Sequence, residues 1–324
     1  MPVSDAEAIR AKILASRLIN GQNIHGVGIC KSECPLHPDY DNITSLHVYA
    51  DSRARIPSTI ADVAVERIHT SQPIAFVQGG ASLSNTFCQC TGTLGAQVFD
   101  ASNDTPMVLT CAHVACLDQN ANYVSPLSNI PIISPGQYDG GTTIDAIAKL
   151  TRWARLSASS TALADWAVAQ ITDTSLVQQG ISNVGAISGI KDFVVGDTIE
   201  SYGRTTGLIQ GTVADDNAQV AVGGYGFGTV NYDHQIVSTT AIAGAGDSGA
   251  LGLNPSNNLA GGLLFSGSTT LTIFNPMSVV ANSANIVMNA GDTLPAMPTF
   301  ASSNGTILTV GILGALALAG YYLL

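Results

Sequence analysis

The chain has 324 residues, enough to bury the core of one large domain with a smaller one, or of two ordinary domains, and only 11% of it is charged. Gly, Ser, Thr, Asn and Ala fill that gap, which argues against long solvated helices and for many short strands joined by turns. Net charge is −11, and the 12 Lys and Arg form no cluster, so the basic footprint that a phosphate backbone requires is missing and nucleic acid is not an expected partner.

In chain order, Ser4 and Glu7 make a capping box, Ile9, Ile13, Leu14 and Leu18 fall near one helical face, and Asn20-Gly21 stops the pattern. Charges at Asp5, Glu7, Arg10, Lys12 and Arg17 interrupt any apolar run, so this helix is no secretory signal. Strands are expected at NIHGVGIC, ITSLHVYA and DVAVERIH, which with the helix give a small α+β unit over residues 1–76, either an accessory domain or a pro-segment removed near Phe76-Val77. Its His25, His47 and His69 read as packed strand residues. CKSECPLH sets Cys30, Cys34 and His37 at roughly metal-ligand spacing, but no second half follows, so no metal and no cofactor is expected. The six cysteines, at 30, 34, 88, 90, 111 and 116, are too few for a disulfide scaffold.

Over residues 77–290 short β runs dominate, among them GTLGAQVF, MVLTCAHV, TIDAIAKL, DWAVAQI, DTIESYG, LIQGTVA, HQIVSTTAI, LAGGLLF and LTIFNPM. Such spacing suggests barrels in an all-β core. GGYGFG at 223–228 has the look of a nucleotide loop, but no helix follows it, and a hairpin turn is expected there. Residues 291–305 have the Pro, Ser and Gly content of a linker. From Thr306 the run TILTVGILGALALAGYYLL is uncharged, and as a helix its residues would span about 28 Å, the thickness of a bilayer core. A transmembrane helix over 306–324 is therefore expected, with Tyr321 and Tyr322 at the far interface and lipid as a partner. Gly311, Ala315 and Ala319 form a small-residue stripe suited to homo-oligomer contacts between such helices. With no signal in front and no residues behind, it resembles a tail anchor that leaves residues 1–305 in the cytosol.

The stretch AIAGAGDSGALG at 241–252 places Ser248 among glycines. Upstream, MVLTCAHV puts His113 at the end of an apolar strand and ADWAVAQI puts Asp165 at the start of another. A serine hydroxyl is a poor nucleophile until an imidazole takes its proton, and the imidazole needs a buried carboxylate to fix its tautomer. Ser248, His113 and Asp165 are the candidates for those roles, with Asp165 preferred over Asp145 and Asp173 because Trp166 and Val168 give it cover. Gly246 lacks a Cβ and can hold the dihedrals that let its N–H and that of Ser248 converge as an oxyanion hole.

Residues 77–290 resemble a chymotrypsin-fold serine protease: its TAAHC, D-I-A-L and GDSGG signatures stand here as TCAHV, DWAV and GDSGA. SYGRTTGLIQGTV at 201–213 and VQGG at 77–80 are similar to the streptogrisin and α-lytic branch. The resemblance implies two antiparallel six-stranded β-barrels, over about 77–180 and 181–290, with the triad between them. It also implies that Arg204 pairs with Asp247, making a freshly cut N-terminus unnecessary. Ile242 stands where trypsin-like members keep a pocket aspartate, so an apolar preference is implied, and Phe265, Ser266 and Gly267 match the strand that pairs with the substrate backbone. Val114 replaces the usual cysteine after the histidine, leaving a Cys90 bridge to Cys111 or Cys116 open. Two functions follow from the sequence: a membrane-anchored serine endopeptidase acting on proteins or peptides, or a catalytically silent peptide-binding module.

Overall fold

The computed structural model describes residues 24–30, 45–50, 59–60, 63–69, 77–239, 243–298 and 308–312. The helix expected over residues 4–20 lies outside them. The chain divides into Met1–Ala75 and Phe76–Leu324. In the first unit β1 (Ile24–Cys30), β2 (Ser45–Ala50), β3 (Thr59–Ile60) and β4 (Val63–His69) form one sheet in the order β1-β2-β4-β3, with β2 and β4 parallel. Val27, Leu46 and Val48 are buried there.

The second unit opens with β5 (Val77–Gly79), followed by β6 (Ser82–Asn85), β7 (Gly92–Thr93), β8 (Ala96–Asp100) and β9 (Pro106–Thr110). A short helix α1 (Ala112–Cys116) comes next, then β10 (Pro131–Ile133), β11 (Ala146–Trp153), β12 (Ala167–Ile171) and β13 (Val177–Ile181). The antiparallel ladder runs β8-β9-β12-β11-β10-β6-β7, and β7 leads into β8 through Leu94 and Gly95, so the sheet curls back on its own start. Alternation drives the closure: in β8 Ala96, Val98 and Asp100 are buried while Gln97 and Phe99 are less so, the period of two that gives a sheet one apolar face.

The rest of the unit holds β14 (Gly189–Ile190), β15 (Thr198–Gly203), β16 (Gly207–Tyr225), β17 (Gly228–Ser238), β18 (Leu251–Asn254), β19 (Leu259–Gly267) and β20 (Thr272–Pro276). Strands β15, β16, β17, β20, β19 and β18 pair in that order, and β18 returns to β15, giving a closed antiparallel ring. Phe193, Ile199, Ile209, Val213, Ile236, Leu264 and Phe274 fill it. After helix α2 (Met277–Ala284), Asn285 takes the left-handed conformation that ends a helix at little steric cost, and β21 (Ile286–Val287) returns to the first barrel by pairing with β8.

At nineteen residues β16 outruns its barrel, and its outer half with β17 makes a hairpin turning at Gly226-Phe227, as GGYGFG suggested. Its Val220, Val222, Tyr225, Val230 and Tyr232 join one apolar cluster with residues of the first barrel such as Leu109 and Leu150 and of the second such as Leu263 and Phe265. Phe227 stacks on Tyr123 with centroids 5.4 Å apart, and the Gly226 N–H donates to Ala121 O at 3.0 Å. The hairpin thus joins the two barrels.

The last described strand, β22 (Leu308–Ile312), corrects the expectation for the tail. These residues lie inside the run read as a membrane helix, yet they pair in parallel with Val220–Gly223 of β16, and Gly311 and Ile312 pair antiparallel with Gly267 and Ser266 of β19. Backbone groups bonded sideways to two strands are not free for the i to i−4 ladder of a spanning helix. Gly311, the first residue of the small-residue stripe, is therefore in a strand. Among the described residues no helix is long and apolar enough to cross a membrane. The remainder of 306–324 lies outside them.

Candidate active site

Strand β9 ends at Thr110, three residues short of His113, where the sequence suggested a strand. The reason is Asp165: its Oδ1 accepts the backbone N–H groups of Ala112 at 2.6 Å and His113 at 3.2 Å, satisfying donors that a helix start leaves open and turning the chain into α1. The other oxygen, Oδ2, meets His113 Nδ1 at 2.6 Å, and both side chains are fully buried. A carboxylate oxygen accepts, so Nδ1 is the ring nitrogen placed to donate to Asp165 and Nε2 is the one turned away from it. Asn275 on β20 locks the acid from the second barrel, accepting the Asp165 N–H at 2.9 Å and donating to Asp165 O and Leu263 O, each at 3.1 Å. Asp145 instead closes a turn onto Thr142, and Asp173 is an exposed carboxylate bonded to Ser175.

Ser248 sits in the turn between β17 and β18. Its carbonyl accepts from Thr93 N at 2.8 Å, and its Oγ donates to Phe265 O at 3.3 Å. A Cβ placed on Gly92 would lie 2.5 Å from Val114 Cγ2 and 2.9 Å from Ser248 O, so the residue after His113 and the backbone of Ser248 meet across Gly92. Cys111 Sγ donates to Leu264 O at 3.2 Å, and Gly249 N donates to the same oxygen at 2.8 Å. The structure therefore joins His113 to Asp165 directly, sets Gly92 between Val114 of the same short helix and the Ser248 carbonyl, and turns the Ser248 hydroxyl onto Phe265.

Gly246 has φ +100°, and a Cβ there would fall 2.3 Å from Thr205 Oγ1, so the position excludes other residues. Thr205 Oγ1 donates to Ala245 O at 2.7 Å. In a trans peptide the C=O and N–H point in opposite directions, so this bond aims the Gly246 N–H away from Thr205. Arg204 departs from the pairing implied by the resemblance. Its Nε donates to Asp139 Oδ2 at 2.7 Å, a second nitrogen bonds Asp139 Oδ1, and the third donates to Thr205 Oγ1 at 3.0 Å. Asp247 needs no cation. Its Oδ1 accepts from Thr205 N at 2.8 Å and Thr206 N at 3.1 Å, while Oδ2 accepts from Gly244 N at 2.8 Å and from the Thr206 hydroxyl. Backbone dipoles thus satisfy this buried carboxylate. The Arg204 bond holds Asp139 below the ordinary aspartate range, so that pair stays ionised at neutral pH.

Of the substrate-binding candidates, Ile242 lies outside the described residues. Phe265, Ser266 and Gly267 end β19 and are buried, with the Phe265 ring 4.7 Å from that of Tyr232. Cys88 and Cys90 are bridged to each other, and Cys111 and Cys116 are buried free thiols, so Cys90 is bonded to neither. Ligand atoms of Cys111, His113 and Asp165 lie within 4.8 Å of one another. Burial raises the Cys111 thiol well above its ordinary value, and a protonated thiol is a poor metal ligand. Sequence reasoning missed Asn275, Asp139 and Thr205, because a side chain whose task is to bond a group far along the chain leaves no local pattern.

No family model matches the chain, and no curated protein does. Among solved structures it is similar to a glutamic-acid-specific serine protease at 21% identity and TM-score 0.47, covering 66% of this chain and 100% of that one. It is also similar to Cellulomonas bogoriensis chymotrypsin at 19% identity and TM-score 0.45, covering 66% and 99%, and to Thermobifida fusca Protease A at 18% and 0.45, covering 65% and 97%.

Proposed function

We propose that the chain is a serine endopeptidase in which Ser248 is the nucleophile, His113 the general base and then acid, and Asp165 the residue that orients the imidazole. The buried 2.6 Å contact between His113 Nδ1 and Asp165 carries this reading, because it leaves Nε2 as the base. As the Ser248 oxygen attacks the peptide carbonyl, its proton passes to His113. The oxyanion is stabilised by the N–H groups of Gly246 and Ser248, and the proton then goes to the leaving nitrogen. Water releases the acyl group by the reverse sequence. An apolar side chain before the cut bond is part of the proposal, resting on Ile242. The silent peptide-binding module has one observation in its favour, the Ser248 hydroxyl on Phe265 O, which attack requires it to leave. A fluorophosphonate that labels the wild type and spares Ser248→Ala supports the enzyme; a folded wild type that takes no label supports the module.

In this reading Thr205 positions the oxyanion hole. Arg204 occupies a lone pair of its hydroxyl, so the single hydroxyl proton is committed to Ala245 O and the chain from Asp139 through Arg204 to Thr205 holds the Ala245-Gly246 peptide in one orientation. Thr205→Val is expected to lower kcat about 10- to 100-fold with KM nearly unchanged, short of or equal to the loss of one oxyanion donor. Thr205→Ser should restore most of it. A parallel rise in KM would assign Thr205 to substrate binding instead.

A further inference from the structure

Strand β7 of the first barrel holds the turn that carries Ser248. Within that turn Asp247 N donates to Gly244 O at 3.1 Å, Gly249 N to Leu264 O at 2.8 Å and Ala250 N to Asp247 O at 2.9 Å. The N–H groups of Gly246 and Ser248, which alternate with these, have no partner among the described residues. A turn that pairs its other donors and keeps two open is arranged to bond a group from outside. These two are the donors proposed for the oxyanion.

One residue holds the carbonyls of both Gly246 and Ser248. The Thr93 N–H donates to Ser248 O at 2.8 Å, and the buried Thr93 hydroxyl donates to Gly246 O at 2.8 Å. Arg204 N donates to that same hydroxyl at 3.1 Å, which occupies a lone pair and commits the single hydroxyl proton to Gly246 O. Thr93 O accepts the Thr110 hydroxyl at 2.8 Å, anchoring the residue to β9. On the other side of Gly246, Thr205 Oγ1 holds Ala245 O. Glycine has the freest φ and ψ of any residue, so an N–H carried by glycine keeps one direction only when the peptides on both sides of it are fixed. Gly246 has a threonine hydroxyl on each. We infer that Thr93 is a positioning residue for the two oxyanion donors, acting through the Gly246 and Ser248 carbonyls; the inference rests on the endopeptidase reading. Its hydroxyl sets the plane of the Gly246-Asp247 peptide, Thr205 sets that of Ala245-Gly246, and the direction of the Gly246 N–H follows from the two planes.

The test compares the full-length wild type with Thr93→Val, Thr93→Ser and Ser201→Ala, assayed for cleavage of denatured casein and for thermal unfolding. Thr93→Val keeps the shape of the side chain and removes the hydroxyl. It is expected to lower kcat about 10- to 100-fold with KM nearly unchanged, up to the loss of one oxyanion donor. Thr93→Ser should restore most of it. Ser201 is the control, because its buried hydroxyl donates to Leu251 O at 2.9 Å, a bond of the same kind away from Gly246. Ser201→Ala should melt earlier and keep kcat within a few-fold. Since both threonine hydroxyls act on Gly246, Thr93→Val combined with Thr205→Val should fall well short of the product of the two single losses. Where Thr93→Val does not fold, Thr93→Cys keeps a weaker donor and should lose kcat in the same direction. An active wild type whose folded Thr93 variants keep kcat overturns the inference and leaves the endopeptidase reading standing. So does a matching rise in KM, an equal kcat loss in Ser201→Ala, or a double variant that equals the product. A folded wild type with neither fluorophosphonate label nor casein cleavage overturns the reading itself.

Discussion

Asp165→Asn is expected to lower kcat by a factor on the order of 10⁴ while KM stays within a few-fold. Asparagine keeps one oxygen to accept the Ala112 and His113 N–H groups, so α1 should still form. Facing His113 Nδ1, however, the amide would present a donor where the imidazole also needs to donate. The ring escapes that conflict by taking the other tautomer, which puts the proton on Nε2 and removes the base. Thermal unfolding should move little, because the fold-making bonds of Asp165 are to backbone groups that asparagine can still serve. A variant that loses activity together with its melting transition would make Asp165 a structural acid.

Gly249→Ala should be strongly destabilising. Gly249 has φ +100°, and a Cβ there would lie 2.2 Å from Thr93 O and 2.4 Å from Thr110 Oγ1, both belonging to strands of the first barrel. Neither a backbone carbonyl in a ladder nor a hydroxyl donating to Thr93 O can step aside cheaply. The expected cost is about 3 kcal/mol or more. For a domain of this size that corresponds to a fall in Tm of roughly 6–12 °C, with loss of labelling at Ser248 as the turn shifts. Gly140→Ala serves as the control: its φ is +89° but nothing lies within 4 Å, so only the conformational cost of about 1 kcal/mol applies. Equal losses for the two would show that the nucleophile turn is not held by close approach to Thr93.

The residues whose work is local were legible in the sequence. Ser248 among glycines, Gly246 at a positive φ, and the period-two burial of β15 all announce themselves within a few residues. The turn at Gly226-Phe227 did so as well. What escaped involves partners far apart along the chain. His113 was read as the end of a strand because the force that ends β9 at Thr110 comes from Asp165, 52 residues on. Arg204 stands in the segment whose resemblance implied a pairing with Asp247, yet Asp139, 65 residues before it, captures the guanidinium because turns of backbone already satisfy Asp247. The tail shows the same limit from the other direction. Composition alone marks Leu308–Ile312 as apolar, and an apolar run suits a bilayer or a strand between two others equally well; its partners, Val220–Gly223 of β16 and Ser266 and Gly267 of β19, lie far back along the chain.

The central claim, that Ser248 is activated by His113 held on Asp165, is tested most directly by reacting the full-length protein with a fluorophosphonate and mapping the adduct by peptide mass. The account predicts a single stoichiometric adduct on the peptide containing Ser248, absent in Ser248→Ala and much slowed in Asp165→Asn. A folded wild type that remains unmodified, or an adduct that persists on another residue in Ser248→Ala, would contradict it.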